Sequence, residues 1–215
     1  MVDLILPEDK RPKSPKLWGK DVRYLSTNLP EGDIHVEDGL RLTTPWRAVR
    51  DIALRESELS AVVAIDSLRF NLDGSDRENV ARILGEERYH GRSRVKSLLA
   101  LSNPRSESPL ETWGREQLRL ANEPEITVVQ LQAPVRVPGG SYRVDMLING
   151  WLIVEFDGKV KYQDDPEGLS KEADRQHRLL NNGHPIIRVS YQNLARGEFA
   201  GMVLAALRKY PRRTA

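Results

Sequence analysis

The alternation of apolar and polar positions divides the chain into a strand-bearing opening, a helical middle and a second mixed block. Residues 22–27, 33–37 and 40–43 alternate as strands do, and Pro30-Glu31-Gly32 and Asp38-Gly39 between them are turn chemistry. At Thr44-Pro45 the period becomes helical, with Trp46, Val49, Ile52 and Ala53 in one apolar stripe and proline suited to the first turn. Further helices are predicted over 57–70, 76–85 and 93–101. Residues 1–20, with three prolines and five basic residues, read as an irregular arm.

Past a joint at 102–106, Ser108-Pro109-Leu110-Glu111 opens a helix: serine as cap, proline at the first helical position, glutamate at the third, with Leu110, Trp113, Leu118 and Leu120 as anchors. A strand over 127–137 closes at Pro138-Gly139-Gly140. A helix over 166–183 follows the next hairpin, with Leu169, Ala173, Leu179 and Leu180 inward and Lys171, Glu172, Arg175 and Arg178 more exposed. A strand over 185–190 and a helix over 199–209 complete the chain. The order predicts an α+β part over 1–102 and an α/β part over 103–215, whose central mixed sheet is flanked by helices.

Residues 141–162 form the hairpin, turning at Asn149-Gly150. If Val144, Met146 and Ile148 share a buried face with Leu152, Val154 and Phe156, then Asp145, Leu147, Trp151, Ile153, Glu155 and Asp157 occupy the other, and Asp145 faces Glu155. This register requires a three-residue loop or a bulge at Asn149-Gly150-Trp151. A strict two-residue turn would put the two acids on opposite faces. Like charges opposed across a strand pair ask for a cation, which Lys159 or Lys161 could supply; Mg²⁺ (or Mn²⁺) would do so better, because it takes one or two carboxylates and keeps exchangeable waters.

Composition narrows the chemistry. The 215 residues are 39% apolar and 30% charged, with 33 Lys+Arg against 31 Asp+Glu, so the net charge of +2 neither requires nor excludes nucleic acid. Without cysteine there is no disulfide, thiolate zinc site or thiol nucleophile, and the four histidines show no close metal-ligand spacing. No apolar run approaches the ~20 residues of a membrane span, and the expected setting is cytoplasmic. Arg88, His90, Arg92, Arg94 and Lys96 cluster at the start of a helix, as a solvated face or a nucleic-acid contact.

The order of elements, with Ser108-Pro109-Leu110-Glu111, Tyr142-Arg143-Val144-Asp145, Val154-Glu155-Phe156-Asp157-Gly158, Lys161-Tyr162, Glu172 with Arg175, and Gly183 to Val189, resembles the PD-(D/E)xK nuclease superfamily and its very-short-patch-repair-like branch over about residues 103–194. That resemblance implies a restriction-endonuclease-like core and a metal-dependent DNA endonuclease of restriction, repair or defence. Asp145 and Glu155 would bind Mg²⁺ (or Mn²⁺) with Asp157 assisting, and Glu111, whose other reading is the helix cap alone, would reach a metal-bound water. Lys159 or Lys161 would orient the nucleophile or stabilise developing charge. Asp157 stands where the superfamily pattern has lysine, which leaves the two lysines as alternatives. Arg175 and Arg188 would hold phosphate or pair with Glu172 and neighbouring acids, and Arg92 and Arg94 join them as nucleic-acid candidates.

Residues 38–53 and the helix around Ala64-Ile65-Asp66 are similar to the carboxy-terminal region of AbiE-type antitoxins. That similarity would bring a toxin or other protein partner, although the winged helix-turn-helix of that family has no counterpart here. The alternative to an enzyme is a non-catalytic nucleic-acid-binding or antitoxin-like regulator on a nuclease scaffold.

Overall fold

In a computed structural model of the protein, the described residues are 2–6, 14, 16, 18–72, 80, 84, 88–157 and 166–211, without the side chains of 166–170. The chain divides by contact into Met1–Asp51 and Ile52–Ala215. The joint expected at 102–106 lies within the second unit.

In the first unit, strand β1 (Val2–Ile5) pairs in parallel with β2 (Val22–Leu25), Val2 beside Val22. The arm predicted over 1–20 is therefore corrected at residues 2–5, where ladder bonds and a forked Arg23–Asp3 pair at 2.8 and 2.7 Å hold an extended chain. A single 3₁₀ turn, Glu31–Asp33, leads to the antiparallel pair β3 (Ile34–Glu37) and β4 (Leu40–Thr43). Asp38 and Gly39 turn it with φ of 49° and 78°, the left-handed geometry of tight hairpins. Helix α1 (Pro45–Arg55) buries Val49 and also Arg47, whose guanidinium donates to Asp51, Asp33, Thr27 and the Asn28 carbonyl. A buried cation persists there because its N–H groups find acceptors.

In the second unit, α2 (Glu58–Phe70), α3 (Arg92–Leu101) and α4 (Pro109–Ala121) precede a four-stranded mixed sheet of β5 (Val129–Val137), β6 (Gly140–Ile148), β7 (Leu152–Asp157) and β8 (Ile186–Ser190), ordered as numbered. The first two pairings are antiparallel and β7–β8 is parallel, as a crossover through helix α5 (Pro166–Asn181) requires. Helices α6 (Tyr191–Ala195) and α7 (Phe199–Lys209) complete the unit, making it mixed α/β as expected. Of the helix predicted over 76–85, Val80 and Leu84 are buried and the rest lies outside the described residues.

One core, on the α4 and α7 side, gathers Leu118, Leu131, Met146, Ile148, Leu152, Val154, Val189, Phe199 and Val203. Gly114 of α4 makes room there for the edge-to-face Phe156–Phe199 pair. A second core joins Ala133, Val135, Val137, Val144, Leu147 and Ile153 to Leu179 of α5. Val144 thus packs apart from Met146 and Ile148, correcting the row expected for β6. The change of face falls at Gln132, whose φ of 50° interrupts β5 beside Asp145. A left-handed residue inside a strand re-aims the ribbon beyond it.

Outside the sheet, Asp66 of α2 is 1% exposed and accepts from the Asn103 N–H, the Thr112 hydroxyl and the Arg115 guanidinium at 2.8–2.9 Å. Arg115 also pairs with buried Glu116. This ionic bridge fixes α4 against α2. Hydrophobic periodicity along the helices gives no sign of it.

Candidate active site

Three elements bring acids together: α4 with Glu111, β6 with Asp145 and β7 with Glu155. The hairpin has the required loop. Asn149 and Gly150 have φ of 52° and 80°, the Trp151 N–H donates to the Ile148 carbonyl, and Ile148 pairs with Leu152, leaving Asn149-Gly150-Trp151 between the strands. The Asn149 side chain pins this loop by accepting from Thr127 and Val128 and donating to the Glu125 carbonyl. Met146 then faces Val154, the last pair of the ladder; the same register carried one step further sets Asp145 opposite Glu155, and the Asp145 charge acts on the Glu155 carboxyl.

At that step the strands part. The Phe156 N–H is taken by Asp145 Oδ2 at 2.9 Å, so a side chain substitutes for a ladder acceptor. On β5 the residue beside Asp145 is the left-handed Gln132, whose amide donates to Glu111 Oε2 at 2.9 Å. The Ser108 hydroxyl caps the Glu111 N–H at 3.2 Å, as the capping pattern predicts. The Glu111 carboxylate also takes the Glu107 N–H at 3.1 Å. Capping and site placement coexist in one residue.

Glu155 Oε1 meets Arg175 Nη2 at 2.6 Å, and Arg175 Nη1 bridges both oxygens of Glu172 at 2.9 and 3.0 Å. Glu172 also accepts from Gln176 and stands 3.7 Å from Arg188, whose side chain is half exposed. Helix α5 therefore turns the stripe Glu172, Arg175, Gln176, Leu179 inward, at the i, i+3, i+4, i+7 spacing of one helix face. This corrects the expected orientation: Ala173 and Leu180 are exposed, while Glu172 and Arg175 are part-buried. The polar stripe turns in because it carries the partners of Glu155.

Electrostatically the patch holds more negative charge than its cations offset. Burial pushes all three carboxyl groups up. For Glu111 it outweighs the bonds from Gln132, Glu107 and Ser108, and the Asp145 charge adds to it. For Asp145 it outweighs the Phe156 N–H and the Arg175 and Arg143 charges. Glu155 rises to about 7, through burial and then the Asp145 charge, despite Arg175. Burial opposes the charge on Arg175, and Glu155 and Glu172 more than restore it, so its pKa is raised.

Asp157 lies exposed at the end of β7, beside Ser190 of β8. Lys159 and Lys161 lie outside the described residues. Arg94 bonds the carbonyls of Ala53 and Glu56 at 2.8 and 2.6 Å, and Arg92 begins α3. Gln132, Glu107 and Gln176 were missed by sequence reasoning. Only the position of Gln132 beside Asp145 in the strand pairing could have flagged it.

Among the described residues, no group of three or more His, Cys, Asp or Glu stands at ion-holding spacing. The donor set nevertheless fits a hard divalent ion, since Mg²⁺ needs only one or two carboxylates and a cation would offset the burial that raises Asp145 and Glu155. No helix among the described residues is long and apolar enough to cross a membrane. Compared with known proteins, the chain matches no family model, no curated protein and no solved structure.

Proposed function

We propose that the second unit is a restriction-endonuclease-like core that hydrolyses DNA phosphodiesters with a divalent cation. The carrying observation is the gathering of Asp145, Glu155 and Glu111, each carboxyl raised by burial first, Glu155 to about 7, with the Asp145 charge adding to the rise of both glutamates. Asp145 and Glu155 would hold Mg²⁺ or Mn²⁺, with Asp157, two residues beyond Glu155 on β7, assisting. When bound, the ion polarises a phosphoryl oxygen and lowers the pKa of a water.

The remaining work belongs to the chain. The Phe156 N–H and the splay of β6 from β7 aim Asp145, and Gln132 and the Glu107 N–H fix Glu111, whose raised pKa suits it to accept a proton from water. Arg175 faces Glu155, and Arg188 lies at the rim; their guanidinium forks suit phosphate oxygens as well as carboxylates. Lys159 or Lys161 would contribute a further cation.

The 2.6 Å Arg175–Glu155 contact supports a second reading, in which arginine is the only cation of a non-catalytic nucleic-acid-binding or antitoxin-like protein. Calorimetric Mn²⁺ titration separates the two. The hydrolase reading expects one binding event, lost in Asp145→Asn and Glu155→Gln; DNA binding with no Mn²⁺ uptake supports the scaffold reading.

A further inference from the structure

Beyond Asp145, strands β5 and β6 continue without β7 as a two-stranded ribbon. The β5–β6 ladder runs to Val137–Gly140, whereas β6 and β7 pair only over Met146–Ile148. One ribbon face is apolar, with Ala133, Val135, Val137 and Val144 packed with Leu179. The other is polar and begins at the candidate site: Gln132 beside Asp145, then Pro134 paired with Arg143, then Arg136 paired with Ser141. Two residues per step place a cation about 7 Å and another about 14 Å along the strands from Asp145.

Both arginines are presented to solvent. Arg136 is exposed and has no hydrogen-bond or ion-pair partner among the described residues. The Arg143 side chain is 63% exposed, and its guanidinium forks onto Glu107 at 2.7 and 2.9 Å. A fork that fits a carboxylate also fits a phosphate. Glu107 therefore occupies the fork that a phosphate would take.

We propose that this polar ribbon face is the track for the substrate backbone, with Arg143 and Arg136 holding successive phosphates leading away from the one attacked. The inference rests on the DNA-hydrolase reading and adds to it where the chain holds the phosphates that flank the one attacked. A mononucleotide or small diester would leave the second cation unused; a polymer charged at every unit uses both.

The test is fluorescence anisotropy of a labelled short DNA duplex in Ca²⁺ over a range of NaCl, with cleavage in Mn²⁺ measured separately. Arg136→Ala and Arg143→Ala are each expected to weaken binding roughly three- to tenfold and to flatten the salt slope by about 1. Glu107→Gln, which frees Arg143 and keeps the backbone bond to Glu111, is expected to tighten binding. Circular dichroism checks folding, and Arg136, with no partner among the described residues to lose, is the cleaner variant. Unchanged affinity and slope in Arg136→Ala, or no duplex binding by the wild-type chain, overturns the proposal. Cleavage by the wild type with arginine-independent binding sinks the track and leaves the hydrolase reading standing. Arginine-dependent binding without cleavage supports the track and sinks the hydrolase.

Discussion

Replacing Glu155 by glutamine should make the metal-free protein more stable at alkaline pH, by an amount that vanishes in acid. Burial and the Asp145 charge raise the Glu155 carboxyl from its ordinary 4.5 to about 7, with the attraction of Arg175 already included. The sign follows from proton linkage. Between 4.5 and 7 the folded chain holds a proton that the unfolded chain has released, so stability falls as pH rises through this window and is level above it. At ~1.4 kcal/mol per pH unit, the penalty above pH 7 is about 3 kcal/mol. The side chain is only 20% exposed, so solvent screening removes little of it. Glutamine keeps the shape and has no charge to bury. Urea unfolding of both proteins in EDTA across the range should show a stability difference growing by about 3 kcal/mol from acid to alkaline pH, or roughly 6–12 °C in Tm. A difference that does not change with pH, or a Glu155→Gln protein that is the less stable one at alkaline pH, would refute the reasoning.

Gly114→Ala should destabilise the second unit by about 1–2 kcal/mol in urea unfolding: a Cβ there would lie 2.5 and 2.7 Å from Phe156 ring atoms and 3.1 Å from Phe199, and the ~1 kcal/mol gain in helix propensity does not offset that overpacking. Asp66→Ala should cost about 3 kcal/mol by the same assay, since it removes the buried acceptor shared by the Asn103 N–H, the Thr112 hydroxyl and Arg115. Gln132→Gly accepts the left-handed backbone and loses the amide that fixes Glu111, so stability within about 1 kcal/mol of wild type is expected together with slower DNA cleavage; unchanged cleavage would remove Gln132 from the site.

The parts of this fold that follow a period were legible in the sequence. Alternation along β6 and β7 made the facing of Asp145 and Glu155 depend on a three-residue loop or a bulge, and a three-residue loop is found at Asn149-Gly150-Trp151. The Ser108 cap fixed the start of α4 and hence the height of Glu111. What escaped was polar burial. Hydrophobic periodicity assigns a charged stripe to solvent, so it could not show Glu172, Arg175 and Gln176 turning inward to meet Glu155, or Arg47 and Asp66 sinking into cores. The change of face at Gln132 was hidden for another reason: glutamine carries no signature of a left-handed backbone, unlike the Asn149-Gly150 pair. Strand β1 was obscured by the prolines and basic residues that follow it.

The central claim is that Asp145 and Glu155 form a metal site for cutting DNA. Its most direct test is cleavage by purified protein of single-stranded, nicked, mismatched and branched DNA with Mg²⁺ or Mn²⁺, alongside Asp145→Ala, Glu155→Ala and the double variant. The expected result is cleavage that needs the ion and disappears in each variant while the circular dichroism spectrum is kept. Cleavage no greater than that of the double variant on every substrate would contradict the claim.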